Sequence, residues 1–426
     1  MNRMLYVYKS MLDKLQNVPI TTGRRTSVIF LLLVLMMGSL FFSRAILSIS
    51  MISFVTLSFF HSSFKEHIRQ FFASPLLWGM SLLFFFPLVS GLWSGDKKAW
   101  LEIVQIKLPL LFLPLAFAAA FKLSGKQWAG LAYLFIAFVT AGTIWSMFHY
   151  AADTATINES YLRAKSLVTP LENDHVRFSW LISVAVLLCG KLIYVKRNCE
   201  RKIAVALSVV LLWLVVFLHI LAARTGLFSF YIIMGVVAAW LIYKKLRWYY
   251  GIALLVTLLA LPFIAYRVLP TFHNRVQYFN YDLGFFKETH YLPGANDAVR
   301  VISLKAGYGV MKKSPVSGVG FGDIFTATKE WYGVHYTQMK EADKIYPSSE
   351  WLIYGAGCGI QGLLAFTLVM LIPFLMRTHT ALAWRILNLI APCSFLFDIG
   401  LEVQFGVFIY SFVVLCWWKW MNDKKM

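Results

Sequence analysis

Arginines set at the polar ends of apolar stretches are the residues of this chain best suited to chemistry. Arg177 closes the run Glu172-Asn173-Asp174-His175-Val176-Arg177 as an apolar stretch begins. Arg224 stands between Ala222-Ala223 and Thr225-Gly226, in so tight a turn that the flanking apolar stretches almost touch. Arg275 falls in His273-Asn274-Arg275, and Arg300 in a basic stretch with Lys305, Lys312 and Lys313. A guanidinium is a planar fork of donors that matches the oxygens of a phosphate. Several such forks converging from separate elements would hold a diphosphate without a metal. A cation in an otherwise apolar turn, as at Arg224, points to an anionic partner. Arg177 has the alternative of snorkelling to lipid headgroups, and Arg275 and Arg300 that of solvated loop cations.

Acid–base candidates stand beside these arginines in the pattern. Glu350 precedes Trp351 where another apolar stretch starts, and a carboxylate at a dry interface is able to act as general base on a hydroxyl; equally, it pairs with an arginine and only holds the loop. His175 is an ionisable group at or just inside an interface, a functional candidate by default. Asp398, Glu402 and Gln404 gather near one turn, either to bind sugar hydroxyls or a cation or as a satisfied structural cluster. No DxD, HExxH or paired Cys/His spacing marks a metal site, and no cofactor is expected. Gly318, Gly320 and Gly322 imitate a dinucleotide fingerprint only superficially, because no βαβ unit surrounds them. Cys189, Cys199, Cys358, Cys393 and Cys416 show no CxxC spacing, so neither a disulfide framework nor a zinc site is supported.

The elements that must position these groups are membrane helices. Hydrophobic residues make up 59% of the 426, charged residues only 14%, and the mean hydropathy is +0.67, far from a soluble domain. Apolar runs long enough to cross the bilayer recur, giving about twelve spans near 27–42, 45–61, 72–93, 100–120, 127–150, 175–195, 203–222, 225–243, 250–268, 351–376, 380–398 and 403–420. The expected class is therefore an all-α polytopic membrane protein. The formal charge of +20 comes mostly from short connections that read as cytoplasmic, so nucleic acid is not an expected partner and the lipid bilayer is. Arg3, Lys9, Lys14, Arg24 and Arg25 precede the first span without a signal-peptide exit, so that span is expected to stay as an anchor. Lys65, Arg69, Lys122, Lys126, Lys191, Lys196, Arg197, Arg201, Lys202, Lys244, Lys245, Arg247, Arg377, Lys419, Lys424 and Lys425 then fall on one side, which sets both termini inside. Trp248, Tyr249 and Tyr250, and likewise Trp417, Trp418 and Trp420, read as headgroup anchors.

Residues 151–174 and the far longer 269–350 are too polar for lipid and by parity lie outside the cytoplasm. The chain thus divides into spans one to nine (1–268), a long outer loop (269–350), and the last three spans with an inner C-terminus (351–426). Asn296 and Asp297 read as N-caps of a basic helix over 297–313 that Ser314-Pro315 terminates. A loop of this length with its own helix is more in keeping with a lid than with a linker.

Leu221-Ala222-Ala223-Arg224-Thr225-Gly226, the segment from Arg300 to Asp323 with its Pro-x-x-Gly-x-Gly core, and Leu352 to Leu363 with Gly359 and Gly362 together carry a resemblance. In their order and topology, from about the third span onward, they are similar to the O-antigen ligase and polymerase superfamily of bacterial envelope glycosyltransferases. The resemblance implies a GT-C-like inner-membrane protein with a periplasmic active face. It further implies transfer of a glycan from undecaprenyl diphosphate to a sugar hydroxyl of lipid A core or another glycan acceptor, independent of metal. Arg224 and Arg300 match the motif positions that hold diphosphate, and Arg177 matches more loosely. Where ligases of the family present a His-Asn pair, alignment puts Ser348 and Ser349. Serine does not accept a proton near neutral pH as imidazole does, so the base must be Glu350 or His175, or the arginines act without one. A polymerase joining carrier-linked repeat units is the alternative within the family. A multispan transporter or flippase is the alternative outside it, and would call for repeated halves and broken helices; neither is expected from the sequence.

Overall fold

The computed structural model describes residues 22–60, 64–244, 248–287, 296–376 and 381–423. Among them all regular structure is helical, with no strand. Helices α1 (Thr22–Phe42), α2 (Arg44–Phe59), α3 (Phe64–Ala73) and α4 (Pro75–Ser90) come first. A turn leads to α5 (Lys97–Lys107), which breaks at Leu108-Pro109 and continues as α6 (Pro109–Phe117). Next are α7 (Gly125–Ala152), the short α8 (Thr154–Ser160), and α9 (His175–Lys196), α10 (Arg201–Leu221), α11 (Arg224–Tyr243) and α12 (Trp248–Val268). The long connection holds α13 (Pro270–Lys287), α14 (Asn296–Lys313) and α15 (Ile324–His335), and the chain ends with α16 (Glu350–Leu375), α17 (Leu382–Phe395) and α18 (Gln404–Asp423).

Among the described residues eight helical segments are long and apolar enough to cross a membrane: α1 from Arg24, α5 with α6, α7, α9, α10, α11, α12 and α16. Counting α2 and α3 as one bent span makes nine. The expected dozen is not reached, although every expected span has a helix at its place. Length accounts for two of the three: α4 has 16 residues and α17 has 14, and at about 1.5 Å per residue neither reaches across about 30 Å of hydrocarbon. The third, α18, has 20 residues but is less apolar, with Gln404, Lys419, Asn422 and Asp423 in it. Of the expected inner charges, Arg3, Lys9, Lys14, Lys245, Arg247, Arg377, Lys424 and Lys425 lie outside the described residues. Trp248, Tyr249 and Tyr250 are half-exposed, as anchors should be. Trp417, Trp418 and Trp420 are not: all three are buried in the bundle, where Lys191 stacks on Trp420 at 3.7 Å. The long loop is also more helical than its polarity suggests. Pro270, preset for a first helical turn, starts α13.

Helix α9 is the packing axis, apolar on nearly every side and buried along most of its length. Gly226 of α11 lets that helix close on it, since a Cβ there would stand 2.7 Å from Ser179 O. The Ser183 hydroxyl then donates to Gly226 O at 2.8 Å, which locks the two helices at the level of the Arg224 turn.

Helix α16 is broken inside its span, an element the sequence reading did not anticipate. Cys358 (φ −128°, ψ 15°) and Gly359 (φ 67°, ψ −159°) leave helical geometry. Only glycine tolerates the second of these, and a Cβ there would collide with Val316 O. The break is closed by the glycine segment: Val319 N–H donates to Ala356 O at 2.8 Å, Gly320 N–H to Gly357 O at 3.0 Å, and Ile360 N–H to Pro315 O at 2.8 Å. Downstream in the same segment the Asp323 carboxylate accepts from Asp96 N–H at 2.9 Å and from Gly95 N–H. The Pro-x-x-Gly-x-Gly core is therefore a plug between α16 and the α4–α5 turn.

Candidate functional site

The Arg224 turn is built by helix endings. Ala222 adopts a left-handed φ of 47° that stops α10, and Ala223 is the extended N-cap of α11. Its neighbour across the turn is α14. Asp297 forms an ion pair with Arg224, and the expected cap of α14 is supplied from outside the helix: Asp282 of α13 accepts from Asp297 N–H at 2.6 Å and from Ala298 N–H at 3.3 Å. Asn296 and Asp297 are themselves the first helical residues. One oxygen of each carboxylate, Asp282 Oδ1 and Asp297 Oδ2, is buried without a partner. Burial raises the Asp282 carboxyl above its usual range, against the pull of the Ala298 N–H and Arg224.

Arg275 and Arg300 come to the same place from α13 and α14, close enough to act electrostatically on Arg224. Arg275 lies 5.8 Å from the Tyr161 ring. Its Nε and Nη1 are buried with no acceptor among the described residues, and that burial depresses its guanidinium below the ordinary value, with Arg300 adding to the effect. Arg300 is half-buried and has no ion pair among the described residues. Tyr161 secures this wall by donating to Leu221 O at 2.9 Å and accepting from Leu167 N–H at 3.2 Å, while Asn274 donates to Asn158 O at 2.8 Å. The connection between α7 and α9 and the described part of the one between α12 and α16 are thus folded onto the Arg224 turn.

His175 faces the same group, within electrostatic reach of Arg275, Asp174 and Arg300. Three successive non-glycine residues before it are left-handed, Leu171 (φ 61°), Glu172 (φ 55°) and Asn173 (φ 67°). Such conformations cost on the order of 1–2 kcal/mol each. The strain is held by Asn173 Oδ1 accepting from Thr169 N–H at 3.2 Å and by Asp174 capping Arg177 N–H at 3.1 Å. Strain of this kind collects at functional sites, and here it sets the start of α9 and with it the imidazole. Sequence alone carries no signal for it.

Arg177 does not join the cluster. Two positions along α9 it turns the other way, donating to Ile399 O at 2.8 Å and standing 3.6 Å from both Asp398 and Asp174 carboxylates. Ser348 reaches Arg300 only through Ser303: the Ser303 hydroxyl lies 2.6 Å from Arg300 O and 2.9 Å from Ser348 Oγ, and accepts from Ser348 N–H at 3.1 Å. Glu350, fully buried, meets no arginine. It accepts from Leu401 N–H at 2.5 Å and leaves Oε2 without a partner. Of the trio Asp398, Glu402 and Gln404, the first two take the structural alternative, Asp398 facing Arg177 and Glu402 held by Lys107 at 2.5 Å, while Gln404 is exposed. Lys107 is the polar residue the sequence reading overlooked. A lysine within an apolar span beside Leu108-Pro109 was the available signal.

The arrangement presents three guanidinium groups, two of them without an ion pair among the described residues, with an imidazole beside them. Guanidinium groups so placed have the donors to bind an anion with two or more oxygens, and the imidazole beside them has the chemistry to take a proton. No curated protein matches the chain. Residues 209–367 match the model of the family described as O-antigen ligase. That stretch runs from α10 through the Arg224 turn, α13, α14 and the glycine plug into the broken α16, and over it the chain is similar to the O-antigen ligase family.

Proposed function

We propose that the protein transfers a glycan from undecaprenyl diphosphate to a sugar hydroxyl, on lipid A core or a similar acceptor. The observation that carries the reading is the convergence of Arg224, Arg275 and Arg300 from α11, α13 and α14 with His175 of α9 beside them. In it the arginines grip the diphosphate and stabilise the charge that develops as it leaves, the term that usually dominates such transfers. The acceptor hydroxyl attacks the anomeric carbon, the bond to the diphosphate oxygen breaks, and His175 takes the hydroxyl proton. Between the two bases that the sequence nominates, His175 is favoured by its place at the arginines, whereas Glu350 is sealed beneath them at 0% exposure. His175 thereby supplies from α9 the imidazole that the family carries where Ser348 stands here. The loop-bearing face is read as periplasmic, the membrane as the bacterial inner membrane and both termini as cytoplasmic, with 269–350 as the loop that covers the sugar.

The break in α16 favours a second reading as a transporter, because broken helices build ion and substrate sites. Its freed carbonyls Ala356 O and Gly357 O, however, accept from Val319 and Gly320 N–H and are not open to a cargo. Deletion followed by envelope glycolipid analysis tests the proposal. Full-length polymer left on the carrier above bare lipid A core is the expected result. Single repeat units on core would mean a polymerase, carrier-linked units retained at the cytoplasmic face a flippase, and unchanged glycans would reject all three. Arg224→Ala that leaves transfer at the wild-type rate would remove the diphosphate grip from the reading.

A further inference from the structure

We propose that Lys107 and Glu402, both outside the family-matched stretch, are positioning residues that hold the turn 398–402 as a bracket between the helix of His175 and the helix of Arg300. The proposal rests on the reading of the site given above. Lys107 Nζ, fully buried, donates to Leu401 O at 2.9 Å and to Glu402 Oε1 at 2.5 Å. The N–H of the same Leu401 donates to Glu350 Oε1 at 2.5 Å. Both polar groups of one residue are therefore gripped by charged side chains, from α5 on one side and α16 on the other. Two residues earlier, Ile399 O accepts from Arg177, two positions after His175 on α9. Two residues before Glu350, Ser348 is joined to Ser303, which bonds Arg300 O at 2.6 Å. A continuous set of hydrogen bonds thus runs from α9 through the turn and the start of α16 to the Arg300 turn of α14.

Stability alone does not account for the ion pair. Replacing a buried pair with well-packed apolar residues is often neutral or stabilising, and ionisable groups in membrane-embedded positions are rare and functional by default. What a charged pair adds is direction, since charge-assisted bonds fix the orientation of the peptide they hold. The ammonium also lies 5.2 Å from the Tyr354 ring and 5.5 Å from the Phe321 ring, so the bracket includes the glycine plug. Neither residue belongs to the arginine cluster, and both act through the turn.

The test uses the full chain in proteoliposomes with a carrier-linked glycan and an acceptor. Lys107→Met strands buried carboxylates and is expected to lower stability, so the deciding variant is the neutral double Lys107→Met/Glu402→Gln. It should melt within a few degrees of wild type and keep its KM for the donor, while kcat falls on the order of tenfold or more, the scale of a small misplacement of reacting groups. Hydrogen exchange should rise together in 346–352 and 398–403. Wild-type kcat with unchanged exchange overturns the bracket, and so does a kcat loss matched by a loss of folded protein. If Arg300→Ala also transfers normally, the site reading fails by itself. Exchange then decides the bracket: a joint rise in both segments supports it, and no rise overturns it.

Discussion

Two charged clusters lie at the same end of the bundle, and they are finished in opposite ways. Around Leu401, most charged groups meet partners inside the protein: Lys107 with Glu402, Arg177 with Asp398 and Ile399 O, Glu350 with Leu401 N–H, leaving single atoms such as Arg177 Nε and Glu350 Oε2 unpaired among the described residues. Around the Arg224 turn, the guanidinium groups outnumber the carboxylates that reach them, and Arg275 has buried nitrogens with no acceptor. A buried donor left unpaired costs on the order of 1–3 kcal/mol, more when charged, and an acceptor for the Arg275 nitrogens would offset that cost. The contrast separates charges that hold a turn from guanidinium groups with donors to spare, for which an anion is proposed above.

The contrast breaks most visibly at His175 and Arg300. His175→Gln should lower glycan transfer by about 10²–10⁴-fold, the usual contribution of a positioned acid or base, with binding of the carrier-linked donor retained. A loss of less than tenfold would return the base role to Glu350 or to no residue. Arg300→Ala should cost on the order of 10²–10³-fold, as removal of one transition-state donor does, while the protein stays in the membrane at wild-type level. Transfer at an unchanged rate would turn the open cluster into a set of solvated cations.

Gly359→Ala is expected to act on folding instead. A residue forced to φ 67° against Val316 O should cost about 1–3 kcal/mol, read as a lower melting temperature in detergent with the donor KM unchanged in the fraction that remains folded. Asp297→Asn gives the smallest effect and the opposite sign. It weakens the ion pair between buried Asp297 and half-exposed Arg224 and should tighten donor binding by up to about fivefold, the scale of a single partly exposed pair. Weaker donor binding would mean that Asp297 orients Arg224 for its ligand and does not compete with it.

Much of this was legible along the chain. Hydropathy located a helix at each expected span, the tight Ala-Ala-Arg-Thr-Gly turn was where expected, and Arg224, Arg275, Arg300 and His175 were nominated and meet. Arg177 and Glu350 were nominated as well and go elsewhere. They occupy the same kinds of position, at the polar start of a helix, so residue type and local pattern could not tell the two outcomes apart. The buried tryptophans of α18 show the same limit. Beside lysines at a span end they resemble anchors, and only packing against α9 and α7 puts them inside.

Amino-acid sequence by itself determined the helices, their approximate ends and the cations available at one face, because transfer of apolar residues from water and the chemistry of caps and turns are local sums over neighbouring residues. Tertiary structure alone decided which cation meets which acceptor. Lys107 and Leu401 are 294 positions apart and Arg177 and Ile399 are 222 apart. Nothing local fixes such pairs: they follow from the close approach of α9 and α11 at Gly226, the break in α16 and the strained entry into α9.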